Sequence, residues 1–542
     1  MWQIKQLPLS DWHNFYSELQ GKVNLNPGLA QLLYLRNIRT IPDVIKFLNP
    51  EIKYLHPNSL LPDIDPAITR IQKAIANREP ILIWGHEDLD GITAIVVLYQ
   101  TLKAIKGQPL FYIPQKGKER HGLSPDKVKE FQDSGVKLII TVDCGITNNQ
   151  EIDIIQKNGV DVIVTDHHEV LDKLPNSVAN VNPKRTDSKY PFSFLSGVGV
   201  ALKVSLALVE KHLKVSPEEY FSLLPDLLPI TALGTIADRV PLIDENRIFA
   251  KLGLKELINI KNNAVKAVFD VVGMSRDNLT TEKFFGEIIP LFSSANGNQA
   301  CDYFLNQNYD ACYQWAQELY KLSQEWRESA KHNCYIAEQV KDVGEGIILV
   351  YDERLSLKAL GHCAGRLKDI YQLPTIVMGL RNDDWVGECR GINGVDLIEL
   401  LKAHSSYFTD FGGHKKACGF TLPKQKLKNF IKSAKKYAKE NFAGNIIKEN
   451  KLIAEMILPL DEITEEFKKL APFGEANPTP VLISPKTNLT KEDGKIIYWK
   501  KPELKLECAP NLPVNPSGNT YDILYTFDDN LEITILDLAT TY

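Results

Sequence analysis

The 542-residue chain has eight cysteines, at 144, 301, 312, 334, 363, 389, 418 and 508, and no two of them form a CxxC pair. Thiols scattered in this way exclude a disulfide framework and a structural zinc site. Long apolar runs are missing as well: those present, such as IIPLF, fall far short of the roughly 20 residues that a spanning helix needs. No basic leader followed by an apolar signal core opens the sequence, so the expectation is a cytoplasmic protein with no membrane partner. There is no excess of positive charge either. Lys and Arg number 63 against 68 Asp and Glu, a formal net charge of -5, which excludes a generic polyanion binder. Any binding of nucleic acid must come from local basic surfaces and from metals that offset acidic groups.

What remains is an ordinary globular composition, 44% hydrophobic and 24% charged, in a chain too long for one core. Roughly 150 residues per domain gives three or four units. The first stretch, 1–75, is predicted to be helical, because LNPGLAQLLYLRNI and PDVIKFLNP carry apolar residues at helical spacing. From residue 76 to 245 short apolar runs (ILIW, PLFYIP, KLIITVD, DVIVTD) alternate with helix-like segments, the rhythm of a parallel sheet with crossover helices. A helical connector is expected over 246–340 and a second, smaller α/β domain over 341–445. The segment 446–542 is strand-rich, consistent with a small β-barrel of oligonucleotide-binding type. The fold class is therefore α/β with a C-terminal barrel.

Four acidic patches punctuate this pattern: HEDLDG at 86–91, TVDCG around Asp143, VTDHHEV around Asp166, His167 and His168, and GTIAD ending at Asp238. In open parallel sheets ligands gather at the carboxyl ends of strands, where the first three patches fall, and the fourth is expected to join them. Carboxylate oxygens with an added imidazole suit paired Mn²⁺ or Mg²⁺ ions, two per site, the chemistry that hydrolysis of a phosphodiester requires. Turns and helix caps use the same residue types, so the case rests on the four patches together.

These motifs in this order, followed by FGGH at 411–414, resemble the DHH phosphoesterase superfamily with its DHHA1 partner domain. LRNI, FLNP, IPQK, HGLS, SGVGVALK, VPLIDENR and LAPFGEANPTPV narrow the resemblance to the RecJ type, single-strand-specific exonucleases, over about residues 30 to 480. The resemblance implies metal ligation by Asp88, Asp90, Asp143, His167 and Asp238, with His86 standing where the family has an aspartate. It implies phosphate contact by His168 and orientation by Asp166. Asp143 and Asp238 are expected to bridge. On the second domain it implies nucleotide binding by His414, with Gly412 and Gly413 allowing close backbone approach, and phosphate contacts from Arg390 and Arg366. Lys116 and His121 replace an arginine and a tyrosine, Gly297 stands near an expected arginine, and Ser356 falls where histidine is usual.

The activity implied is release of mononucleotides from the 5′ end of single-stranded DNA, in repair and recombination, in a cleft between the two α/β domains. Single-strand-binding protein or a helicase are the implied partners. Two alternatives share the motifs: a phosphodiesterase for short oligonucleotides or cyclic dinucleotides, and a RecJ-like scaffold with a decayed site. The lysine-rich face of segment 424–440 is read as solvated, and Tyr498 with Trp499 either as barrel core or as a base-stacking pair.

Overall fold

The computed structural model describes residues 2–115, 119, 122–170, 173–277, 279–292, 295–446, 453–492, 495–498, 500–501, 506–508 and 519–540. The chain divides into two compact units, Met1–Leu319 with Leu452–Tyr542, and Tyr320–Lys451.

The first unit is organised by five parallel strands, β1 (Pro80–Gly85), β2 (Gln108–Tyr112), β3 (Leu138–Val142), β4 (Asp161–Thr165) and β5 (Ala179–Val181), in the order β2-β1-β3-β4-β5. The central strands are continuous apolar runs because both of their faces are covered: every residue of β3 is buried. Connections run through helices such as Leu89–Ala104, Pro125–Gln132 and Asn149–Lys157. After β5 come two further core helices, Gly197–Leu213 and Leu227–Ala237, whose residues are buried almost throughout.

The C-terminal strands close a five-stranded barrel. Leu482–Glu492, Lys495–Tyr498, Leu506–Cys508, Ile533–Thr540 and Asn519–Phe527 pair in that order, and the last returns to the first. The sequence pattern treats the N-terminal helices and the barrel as separate segments, whereas they share one core. Trp12, Phe15, Leu29, Leu33 and Phe47 pack in the same cluster as Leu489, Tyr498, Tyr521, Ile523 and Ile535. A barrel this small fills its interior with its own side chains, so the remaining apolar surface must find another cover.

Arg247 ties these parts together. Its guanidinium lies 3.7 Å above the Phe47 ring and donates to the carbonyls of Phe47, Lys469, Leu470 and Ala471 at 2.8–2.9 Å. The motifs VPLIDENR and LAPFGEANPTPV are thus the two halves of one clamp.

The second unit holds a six-stranded mixed sheet in the order Asp410–His414, Ala417–Pro423, Asp384–Arg390, Thr375–Arg381, Ile347–Tyr351, Asp342–Gly344. The helix Leu427–Asn441 buries Phe430, Ala434 and Ala438 against it, while its Lys435 and Lys439 pair with Asp342 and Glu345. Among the described residues no single helix is long and apolar enough to cross a membrane.

Candidate active site

Three acidic patches follow parallel strands, as the spacing predicts, and the fourth differs: Asp238 ends the helix Leu227–Ala237, not a strand. That helix is buried almost throughout, packs against the helices Leu89–Ala104 and Gly197–Leu213, and brings Asp238 Oδ2 to 3.7 Å from His167 Nε2.

Each side chain is placed by its local backbone. Asp88 caps the helix Leu89–Ala104, accepting from Gly91 N at 3.0 Å, and Gly91 is required because a Cβ there would lie 2.5 Å from the His86 carbonyl oxygen. Asp90, one residue into that helix, is buried and accepts from Gly197 N at 2.7 Å and Val198 N at 2.8 Å. These are first-turn N–H groups of the helix Gly197–Leu213, orphan donors that suit a carboxylate. Asp143 follows β3 at φ 58°, a left-handed conformation that costs a non-glycine residue roughly 1–3 kcal/mol and is tolerated where function holds it. Asp166 accepts from Ile146 N (2.9 Å), His167 N (2.7 Å), His168 N (3.1 Å) and His168 Nδ1 (2.8 Å), and so fixes both histidines and the loop after Asp143.

The result is a tight cluster. His167 Nε2 lies 3.0 Å from Asp143 Oδ1, 3.7 Å from Asp238 Oδ2 and 3.9 Å from Asp90 Oδ2. His86 Nδ1 lies 3.1 Å from Asp88 Oδ2 and 3.8 Å from Asp143 Oδ2. Three sets of potential ligand atoms lie mutually within 4.8 Å: Asp143, His167 and His168; His86, Asp88 and Asp143; Asp90, His167 and Asp238. Asp143 and His167 each belong to two sets, Asp238 to one.

The electrostatics carry the same message. Burial, then the charges of Asp238 and Asp88, holds Asp90 well above the usual carboxylate range; burial, then Asp90 and Asp88, does the same to Asp143. Asp238 is pushed up to about 7 by burial and next by Asp88. Burial, with His168 second, pushes His167 down to about 4, leaving a neutral imidazole with a lone pair to offer. Asp88 goes the other way: against burial, the His86 hydrogen bond and charge and the Gly91 N–H draw it down to about 2. His86 and His168 are raised, by hydrogen bonds to Asp88 and Asp166 respectively.

Among the described residues Asp143 Oδ1, Asp238 Oδ2 and both ring nitrogens of His167 are buried without a hydrogen-bond partner. Asp143 Oδ1 and His167 Nε2, though close, are not aligned for one. Each such group costs about 1–3 kcal/mol if nothing meets it. Asp143 Oδ1, Asp238 Oδ2 and His167 Nε2, two carboxylate oxygens lying 3.0 and 3.7 Å from one nitrogen of a neutral imidazole, fit a hard divalent cation. Beside them opens a cavity of about 530 Å³ lined by His86, Glu87, Asp88, Gln115, Asp238 and Gly297, among others.

Comparison with known proteins agrees with this geometry. Residues 80–235 match the model of the DHH family, N-terminal domain, and residues 343–440 match the DHHA1 domain. The single-stranded-DNA-specific exonuclease RecJ of Bacillus subtilis (strain 168) is 30% identical over 507 residues, covering 90% of this chain and 62% of that protein. Residues 80–235 and 343–440 thus carry DHH and DHHA1 domains, and the chain, which spans 62% of the length of the Bacillus relative, is similar to RecJ proteins over most of its own length. RecJ of Dickeya dadantii (strain 3937) is 27% identical over 487 residues, covering 84% of this chain and 83% of its own length. The crystal structure of RecJ in complex with Mn²⁺ from Thermus thermophilus superposes with a TM-score of 0.77 at 22% identity, over 100% of this chain and 80% of that one.

The remaining expected site residues lie elsewhere. Lys116, His121 and Trp499 lie outside the described residues, as does the side chain of His414. In the second unit Gly413 has φ 128° and a Cβ there would meet Cys418 Cα at 2.5 Å, so only glycine fits; Gly412 faces open space. Arg390 donates to Glu388 Oε2 at 3.0 Å and to the Cys389 carbonyl oxygen at 2.9 Å, and Arg366 is exposed on the helix Leu360–Tyr371. Of the two alternatives for Tyr498, the structure has the barrel-core one and not the stacking one. Tyr498 is buried in the barrel core, its hydroxyl donating to Asp461 Oδ1 at 3.2 Å, because the strand alternation points it inward.

Two contributions escaped the sequence reading. Gly197 presses against Asp143, where a Cβ would come within 2.5 Å of the carboxylate side chain, so SGVGV is part of the site's wall. Lys184, near enough to act on His167, His168 and Asp238, brings a positive charge to the rim. The Asn-Pro turn before it was the available signal.

Proposed function

We infer that this chain is a metal-dependent exonuclease that hydrolyses single-stranded DNA from the 5′ end to mononucleotides. The observation that carries the reading is the set of buried, unpartnered ligand atoms on Asp143, His167 and Asp238, in a chain whose relatives bear the name of that activity. Two divalent cations, Mn²⁺ or Mg²⁺, would be held by His86, Asp88 and Asp143 on one side and by Asp90, His167 and Asp238 on the other. When bound, they supply charge neutralisation at the phosphoryl oxygens and a water acidic enough to ionise near neutral pH.

The chain's own residues do the rest. His168, half-exposed and raised by Asp166, presents a protonated ring nitrogen to a phosphate oxygen. Asp166 keeps both histidines in register and Asp143 is available to both metal sets. Gly412, Gly413, His414, Arg390 and Arg366 form the nucleotide-contacting surface of the second unit, and Lys116 a further phosphate contact. Cytoplasmic DNA repair and recombination, beside single-strand-binding protein or a helicase, is the setting this activity fits.

End-labelled single strands, each blocked at one end, test the reading with Mn²⁺ present. A 5′ block should protect and a 3′ block should not. Asp143→Ala should lose activity about 10³-fold while keeping the wild-type circular dichroism spectrum. Full activity in that variant or in excess chelator would overturn the assignment, and turnover confined to dinucleotides would turn it toward the short-oligonucleotide phosphodiesterases.

A further inference from the structure

A strand of phosphates approaching four carboxylates meets repulsion that bound cations relieve only locally. Among the described residues lining the 530 Å³ cavity none is lysine or arginine. The cation next in sequence to the acidic cluster is Arg239, immediately after Asp238.

Three observations single out this residue. Its backbone turns to φ 58° at the end of the helix Leu227–Ala237, which sends the side chain away from the direction the helix would give it. Arg239 is exposed, and its guanidinium lies 4.5 Å above the ring of Phe285, itself only part-buried. The guanidinium makes no hydrogen bond or ion pair with any described residue, so the fork of N–H donors is held flat by the ring and left open.

Phe285 is equally unusual in its setting. It sits in a π-helical turn, Phe284–Ile288, a rare geometry concentrated at functional positions. That turn leads directly into Ile289, which lines the acidic cavity, while Phe285 and Arg239 line a neighbouring one of about 230 Å³ with Val240, Leu242, Gly474 and Glu475. The two cavities therefore share the last turn of one helix and are lined from consecutive turns, Phe284–Ile288 and Ile289–Phe292.

We propose that Arg239 and Phe285 form a second contact point for the single strand, beside the acidic cavity: the guanidinium, held flat on the ring, pairs with a backbone phosphate through its open N–H fork and offers its outer face to a base. Arginine held on an aromatic face suits single strands of any sequence, because every base has a π-face and every step a phosphate. Glu475 in the same cavity limits how many phosphates can gather there, which favours a single contact over a general basic track. The proposal rests on the exonuclease reading and deepens it.

The test uses the full chain with Mn²⁺ and a 20-nucleotide single strand, comparing wild type, Arg239→Ala, Arg239→Lys and Phe285→Ala. Arg239→Ala should raise KM about tenfold, and loss of one phosphate contact should lower the slope of log KM against log salt by about 0.7. Arg239→Lys should restore the salt slope without restoring all of KM, since the charge returns and the planar fork does not. Phe285→Ala should raise KM about fivefold and leave the salt slope near wild type. Unchanged KM and slope in Arg239→Ala overturn the contact, and so does a KM change in which the salt slope does not move, the signature of a merely structural arginine. If wild type cleaves no single strand, the exonuclease reading fails instead. Anisotropy of the labelled strand in chelator then still decides this inference, with the same salt slope expected and the same equality of variants overturning it.

Discussion

The carboxyl end of the parallel sheet and the glycine hairpin of the second unit both come from motifs that stand out in the sequence, yet they are built on opposite principles. Around Asp143 almost everything is buried, crowded and short of partners: Gly197 touches the carboxylate, and His167 has no aligned donor or acceptor. Around Gly412 the backbone faces open space, and Arg390, part-exposed, is already occupied by Glu388. A site that stores unsatisfied polar groups is preorganised for something small and highly charged. A bare, exposed strand edge offers N–H and carbonyl groups to something large. The difference teaches that burial without a partner is the more specific signal, because the fold must hold that cost against a gain on binding.

The comparison breaks most visibly at its glycines. Gly197→Ala should cost about 100-fold in rate, since its methyl would displace the Asp143 side chain and misplacement of about 1 Å is enough for that loss. Gly412→Ala should fold normally, its new methyl meeting nothing within 4 Å, and should raise KM severalfold with little change in kcat, because the methyl stands where the proposed nucleotide would approach the backbone. Rates with excess Mn²⁺ and melting curves for both variants check this; equal effects would erase the distinction between a crowded site and an open one.

The second way to sharpen it is proton linkage in metal-free protein. Asp238 has its folded pKa raised to about 7 from an ordinary value of 3.8, and Asp90 and Asp143 are also held well above that value. Their protonated forms therefore stabilise the fold fully below the unfolded pKa, and that contribution is lost as pH rises through the folded values. The melting temperature in chelator should fall by several degrees between pH 5 and pH 8, and saturating Mn²⁺ should flatten the slope. A melting temperature that rises over that window in chelator would mean the carboxylates are not held in the raised state.

Much of this was legible before any coordinates. Strand ends announced themselves because ILIW, KLIITVD and DVIVTD are buried on both faces; any one aspartate after such a run can be a turn or a cap, as Asp88 is, and only their recurrence pointed to a site. Asp238 was harder, since the apolar residues before it are buried on every side of a helix, a pattern that periodicity cannot separate from a strand. The role of SGVGV was invisible because it acts through backbone N–H groups and the lack of a Cβ, neither of which depends on side-chain chemistry. The shared core of N-terminal helices and barrel was hidden for another reason: contacts such as Arg36 to Glu455 and Asn477 span more than 400 residues, and no local pattern encodes them.

His86 stands where the first motif of RecJ-type proteins is expected to have an aspartate, and as a proposed metal ligand it gives a smaller effect. An imidazole softens the ligand set toward Mn²⁺, and Asp88, paired with it at 3.1 Å, shares its charge. His86→Asp should raise the ratio of Mg²⁺-supported to Mn²⁺-supported rate by about threefold to tenfold, measured on one substrate at saturating metal. A ratio that stays fixed would place His86 outside the ligands.

The smallest expected effect on activity belongs to Tyr498, which separates packing from recognition within one residue. Its ring is buried among Leu489, Tyr521 and Ile523 and its hydroxyl is engaged by Asp461, so the face a base would need is already covered. Tyr498→Leu keeps apolar bulk and removes both the ring and the hydroxyl. The variant should lose about 1–3 kcal/mol of stability through the lost ring packing and the repacking that follows, while affinity for a labelled single strand changes less than about twofold. Stacking on a base is worth about 1–3 kcal/mol by truncation, so a drop of tenfold or more in affinity would return Tyr498 to the DNA-binding surface. Because the two roles predict losses in different measurements, a melting curve and a binding isotherm on one variant decide between them.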